Sequence, residues 1–66
     1  MTGTEMKCLR QCAEGNTDAQ IAAGLELTAN EVASVLSVVM LKLRVPNRMA
    51  GLAKACRLGL LGNINE

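Results

Sequence analysis

The sequence predicts an all-α fold, a compact four-helix domain containing a helix-turn-helix, and three observations carry that prediction. A threonine followed three residues later by Glu or Gln occurs ahead of apolar stretches at Thr2, Thr17 and Thr28, the signature of a helix N-terminus. The apolar residues that follow recur with the period of a helix rather than the alternation of a strand. Phe, Tyr and Trp are all absent from the 66 residues. A core must therefore come from Leu, Val, Ile, Met, Ala and Cys, a set that suits closely packed helices.

The elements follow in chain order. Thr2-Gly-Thr-Glu5 is a capping box, with Met1 and Met6 in the positions of a hydrophobic staple, so a first helix is expected over residues 3–14. Gly15 then stands where a left-handed C′ residue belongs. Thr17-Asp-Ala-Gln20 opens a short second helix reaching about residue 24, with Ile21, Ala22 and Leu25 on one face and Gly24 weakening its last turn. Thr28-Ala-Asn-Glu31, stapled by Leu27 and Val32, opens the longest helix, expected over residues 29–43. Val45-Pro46 breaks the pattern. Asn47 is the expected N-cap of a fourth helix over residues 48–58, closed by Gly59. The domain is expected to fill residues 1–62, leaving residues 63–66 as a frayed tail. The few residues between the second and third helices give the spacing of a helix-turn-helix.

Composition excludes several classes of function. There is no His, no Gly-rich phosphate loop and no nucleophile beside a base, so an enzyme is not expected, nor a small-molecule substrate. No cofactor or metal is expected either. Cys8 and Cys12 share a helix face and only Cys56 could add a third sulfur, whereas structural zinc takes four Cys or His ligands. An odd number of cysteines fits a reducing compartment, with free Cys acting as a small hydrophobe. Lys42 and Arg44 close the longest apolar run short of a membrane span, and no secretory signal is present, so a cytoplasmic protein without membrane contact is expected.

In the order of these motifs the chain resembles the LuxR-type helix-turn-helix domain, also called GerE, FixJ or NarL-like, found at the C-terminus of many bacterial regulators. The family's opening Leu-Thr-x-x-Glu is similar to Met1-Thr-Gly-Thr-Glu5, and its Leu-Ala-x-Gly step to Cys12-Ala-Glu-Gly15. Its Glu-Ile-Ala-x-x-Leu looks like Gln20-Ile-Ala-Ala-Gly-Leu25, and its Ile-Ser-x-x-Thr-Val like Leu27-Thr-Ala-Asn-Glu-Val32. Lys-Leu-x-Val-x-Asn-Arg stands as Lys42-Leu-Arg-Val-Pro-Asn-Arg48, and Gly-Leu-(Leu/Ile) as Gly59-Leu-Leu61. The resemblance spans nearly the whole chain. It implies a tetrahelical domain, a third helix that reads the major groove, and a fourth helix that commonly makes a homodimer contact.

The third helix departs from the family pattern. Ala33 and Val35 stand where the family carries Lys and often His, and Glu31 replaces a Thr that supports backbone contact. Helical spacing assigns Val32, Leu36, Val39, Met40 and Leu43 to the core. It leaves Val38 and Leu41 pointing outward with Val35 at the margin. Asp18, Glu26 and Glu31 make the helix-turn-helix itself acidic rather than basic, on a chain of net charge +1. Lys42 and Arg48 match positions that the family uses towards the DNA backbone, and Arg48, Lys54 and Arg57 cluster in the fourth helix.

Two functions are therefore expected in competition. The leading one is a small bacterial transcriptional regulator that binds double-stranded DNA as a homodimer, with Asn30, Ser34 and Ser37 on the bases and Lys42 and Arg48 on phosphates. Met49, Leu52, Ala53 and Cys56 form one apolar stripe on the fourth helix, partly for the core and partly for the second copy, with Ala50, Gly51 and Ala55 small enough to let a helix approach closely. The alternative is a helix-turn-helix protein without DNA binding, an antiactivator or dimerisation module. It would pair with another protein such as a LuxR-type regulator through Val35, Val38 and Leu41.

Overall fold

Each of the first three helices begins where a threonine closes on its own first turn. Thr2 Oγ1 accepts the Glu5 amide at 3.2 Å while Glu5 Oε1 accepts the Thr2 amide at 2.8 Å, and Thr17 with Gln20 and Thr28 with Glu31 repeat the exchange. Orphan N–H groups at each helix start are satisfied within four residues of chain, so the starts are local and firm. The fourth helix uses Asn47, whose Oδ1 accepts the Ala50 amide at 2.8 Å.

In the computed structural model, which describes residues 1–61, these caps open α1 (Gly3–Ala13), α2 (Asp18–Leu25), α3 (Ala29–Leu43) and α4 (Arg48–Arg57). Among the described residues there is no strand. The all-α, four-helix expectation is met, with α3 at the expected bounds. Three ends differ by one residue: Glu14 and Leu58 cap α1 and α4 instead of extending them, and α2 runs through Gly24 to Leu25. The expected domain end at 62 and the tail at 63–66 lie outside the described residues.

The helix ends share one device. After α1 and α4 the chain turns through Gly15 and Gly59 at positive φ, with Asn16 donating back to Gln11 and Leu60 to Ala55. After α2 and α3 the same left-handed position is filled by Glu26 and Arg44, at φ 59° and 58°. Neither was expected from the sequence. Leu27 and Val45, the next residues, donate to Ala22 and Met40 and carry the chain back into the core.

All three other helices pack against α3. Its inward stripe of Val32, Leu36, Val39, Met40 and Leu43 is buried as expected. It serves two apolar clusters: Cys8, Ile21, Ala22, Val32 and Leu36 join α1 to the helix-turn-helix, and Leu9, Val39, Met40, Leu43, Ala55 and Leu61 seat α4 and the segment after it. Cys8 is fully buried, and burial pushes its thiol pKa up, so it behaves as a small hydrophobe. Cys12 is half-buried and Cys56 exposed, so the expected packing role covers only part of the set.

Packing of α4 differs from the expected stripe. The residues it buries are Gly51 and Ala55, while Met49, Ala53 and Cys56 are exposed and Leu52 is half-buried against the second cluster. The helix that the small residues admit is α3 of the same chain: a Cβ on Gly51 would overlap the Met40 thioether. Close approach, rather than bulk, seats α4.

Candidate nucleic-acid interface

Three residues, Glu26 to Thr28, separate α2 from α3, and the two helices turn through 103°. That is the connection length and angle of a helix-turn-helix, roughly 90–120° across a short turn. The left-handed Glu26 makes the bend, and Leu27 fixes it by packing against the cluster of Ile21 and Val32. One face of α3 is thereby held away from the core.

That outer face carries Asn30, Ser34, Ser37 and Leu41 at successive helical turns, all exposed, with Val38 beside them. Val38 is 41% exposed and Leu41 76%, so two sizeable apolar side chains stand among the three polar ones. Asn30 and Ser34 also line a shallow open groove with Thr4, Leu27, Glu31 and Val35, between the start of α1 and the first turns of α3. Val35 does not share the outward position of Val38. It is half-buried at the margin of the core, as its helical spacing predicts, and packs against both apolar clusters.

The two cations expected on phosphate are already engaged. Lys42 Nζ lies 2.9 and 2.8 Å from the two carboxylate oxygens of Glu5. This contact joins the last turn of α3 to the first of α1. Arg48 meets Asp18 through Nη1 at 2.7 Å and Nη2 at 2.9 Å, a paired geometry that joins the starts of α4 and α2. The Lys42 ammonium, followed by the Thr2 amide, holds the Glu5 carboxyl below its ordinary pKa. Arg48 does the same for Asp18, and Asp18 raises the guanidinium in return.

Both pairs keep one exposed partner: the Lys42 and Arg48 side chains are 45% and 43% exposed. Each cation therefore remains in reach of solvent while held in a fixed place. Lys54 donates to the Leu43 carbonyl at 2.9 Å and satisfies one of the orphan carbonyls at the C-terminus of α3. None of these three partners was visible in the sequence, because Glu5, Asp18 and Leu43 become neighbours only once the helices are packed. The face thus gathers Asn30, Ser34 and Ser37 together, with Lys42 and Arg48 set apart from them in structural pairs.

Outward on α4, Met49, Ala53 and Cys56 fall at helical spacing on one exposed line, and Met49 is 82% exposed. Among the described residues no three His, Cys, Asp or Glu side chains gather to hold a metal. No single described helix is long and apolar enough to cross a membrane.

Comparison with known proteins agrees with this geometry. Residues 1–55 match the family described as bacterial regulatory proteins, luxR family. Over 61 residues, 92% of the chain, the sequence is 36% identical to the HTH-type quorum sensing-dependent transcriptional regulator VjbR of Brucella ovis, and equally to VjbR of Brucella abortus and Brucella melitensis. The matched region is 24% of those proteins, so the chain spans about a quarter of the length of the curated relatives it matches. No solved structure matches the chain.

Proposed function

Because this chain belongs to the LuxR family of bacterial regulatory proteins, we propose that it is a transcriptional regulator that binds double-stranded DNA through α3, as a homodimer held by α4 and working in the cytoplasm. The single observation that carries the reading is the exposed row of Asn30, Ser34 and Ser37 on the second helix of a helix-turn-helix bent through 103°. Ser hydroxyls and an Asn carboxamide are groups that hydrogen-bond base edges. Lys42 and Arg48 contact phosphates from the flanks of that face, each exchanging part of its carboxylate contact for a phosphate oxygen. The exposed line of Met49, Ala53 and Cys56, with half-buried Leu52, supplies the contact between copies.

Titration of isotope-labelled chain with duplex DNA at low salt tests the reading. Amide shifts along residues 29–44 are expected, fading as salt is added, because phosphate contacts release counterions. A spectrum unmoved over those residues would sink it.

A second reading is favoured by the exposure of Leu41 and Val38 and by the engagement of both expected phosphate cations in carboxylate pairs. On that reading α3 docks its outer apolar residues on another protein, such as a LuxR-type regulator, and the chain acts as an antiactivator. Val38→Glu then abolishes association with such a regulator while the thermal melt is kept; association that survives the substitution counts against it.

A further inference from the structure

Within the DNA-reading role proposed above, we infer that the base pairs beneath α3 are A·T pairs, with Asn30 on an adenine edge and Val38 and Leu41 against thymine methyl groups. The inference rests on which side chains the fold leaves free to read which base. Guanine presents two acceptors in the major groove and is taken by Arg or Lys; cytosine presents a donor and is taken by a carboxylate. Adenine presents an acceptor beside a donor, matched by a carboxamide, and thymine presents a methyl group, matched by an apolar side chain.

The outer face of α3 holds only the second pair of readers. Asn30, Ser34 and Ser37 form its centre line. At about 100° per residue, exposed Val38 flanks Asn30 by about 80°, with Leu41 continuing the line. Ser discriminates weakly, since a hydroxyl both donates and accepts.

The cationic readers are placed elsewhere, and the acid of α3 is used at its own helix start. Lys42, the lysine of α3, is turned to α1, its ammonium held by both oxygens of Glu5. Arg44 follows the last turn in a left-handed conformation, about 21 Å along the helix from Asn30 at 1.5 Å per residue. Glu31 is the acid of α3, and its Oε1 accepts the Thr28 amide at 2.8 Å. Guanine therefore meets no cationic reader on this centre line and cytosine only the capping carboxylate of Glu31, about 100° round the helix from Asn30, whereas adenine and thymine meet readers on the line itself.

Selection from a pool of duplexes with a randomised centre, using the full chain at low salt, tests this. Enrichment of consecutive A·T pairs is expected. In the selected duplex, replacing one contacted thymine by uracil removes one methyl and is expected to weaken binding about fourfold. Asn30→Ala, a change at an exposed position, is expected to flatten the preference at one base pair from about 5–150-fold towards none while the melt is unchanged. Retention of the pool with G·C enriched, or with its composition unchanged, overturns the inference and leaves DNA binding standing. Retention of no duplex overturns both.

Discussion

Arg48, the first residue of α4, holds Asp18, the first residue of α2, through two contacts of 2.7 and 2.9 Å. The pair links two helix starts that are 30 residues apart in sequence, and it places the carboxylate at the end of α2 where negative charge is favoured. An exposed pair of this kind contributes roughly 0.2–1 kcal/mol. Its greater consequence is for the proposed DNA contact, in which a phosphate competes with Asp18 for the guanidinium. Asp18→Asn is expected to tighten DNA binding at low salt severalfold. Arg48→Ala is expected to reduce the slope of log K against log salt by about 0.9. Salt-dependent fluorescence titration measures both, and an unaltered slope in Arg48→Ala would mean that Arg48 stays on Asp18 and touches no phosphate.

Acid sensitivity follows from the same carboxylates. Glu5 is held below its ordinary pKa chiefly by Lys42, and Asp18 by Arg48. As pH falls, the unfolded chain takes up protons first, near about 4.3 for Glu and 3.9 for Asp. The stability that the pairs contribute is therefore complete above those values and lost as pH drops through the lower folded ones. Thermal melts are expected to fall as pH drops below about 5 and on through the lowered folded values. The double variant Glu5→Gln, Asp18→Asn should begin from a lower melting temperature and lose less of it over that interval. An acid slope equal to that of the parent would show that these two groups do not govern it.

Helix starts were legible because each capping box closes within three residues: Thr2, Thr17 and Thr28 needed no knowledge of the rest of the chain. The buried stripe of α3 was legible too, since five large residues at helical spacing can face only one way. Pairings of Lys42 with Glu5 and Arg48 with Asp18 were not, because they depend on the angles at which whole helices cross. The seat of α4 was missed for another reason. Its contact is made by Gly51 and Ala55, which carry little apolar signal, and the more apolar Met49 stands outside. On the outer face of α3, Asn30, Ser34 and Ser37 were expected from the family resemblance and stand exposed, while periodicity put Val35 at the margin, where it packs half-buried against both clusters.

The helix α2 and the turn that ends it hold two positions where substitution is expected to stabilise the fold. Gly24 lies inside α2, and among the described residues an added Cβ would meet Gln11 Oε1 at 3.9 Å. Gly24→Ala is expected to stabilise the fold by about 0.5–1 kcal/mol, through helix propensity and a less flexible unfolded chain. Glu26 holds a left-handed conformation at φ 59°, which costs an L-residue roughly 1–2 kcal/mol relative to its usual conformations. Glu26→Gly is expected to raise the urea midpoint, and it also removes an acid beside the proposed groove-facing helix. Equilibrium urea unfolding reads both effects, and a lower midpoint in Gly24→Ala would mean that α2 needs the glycine for a reason other than space.

The proposed dimer contact on α4 makes a separate prediction. Met49 is 82% exposed in the single chain, so a charge placed there meets water and the fold should tolerate it. Met49→Glu is expected to shift sedimentation from dimer to monomer by about tenfold or more in Kd, since burying a charge opposite its own copy is strongly unfavourable. Melting of the monomer should be unchanged. If the dimer persists at the parent's Kd, its contact lies on a face other than this line.

Met40 and Gly51 make the most demanding contact in the core. A Cβ at position 51 would overlap the Met40 Sδ and crowd its Cε, and Met40 is only 7% exposed, so its side chain has little open space to enter. Gly51→Ala gains helix propensity, worth up to about 1 kcal/mol. Against this, overpacking a filled core typically costs about 1–3 kcal/mol. The net expectation is destabilisation of roughly 1–2 kcal/mol, a large share of the 3–10 kcal/mol or so that a chain of this size holds in total. Shortening Met40 instead leaves a hole: Met40→Ala is expected to cost about 2–5 kcal/mol. The two changes occupy the same space from opposite sides, so the double variant should be more stable than the sum predicts, by at least about 0.5 kcal/mol. Urea unfolding of the four proteins closes the cycle. Additive effects would mean that α4 reaches α3 by some route other than the glycine, and that its first turns could shift without disturbing the helix that carries Asn30, Ser34 and Ser37.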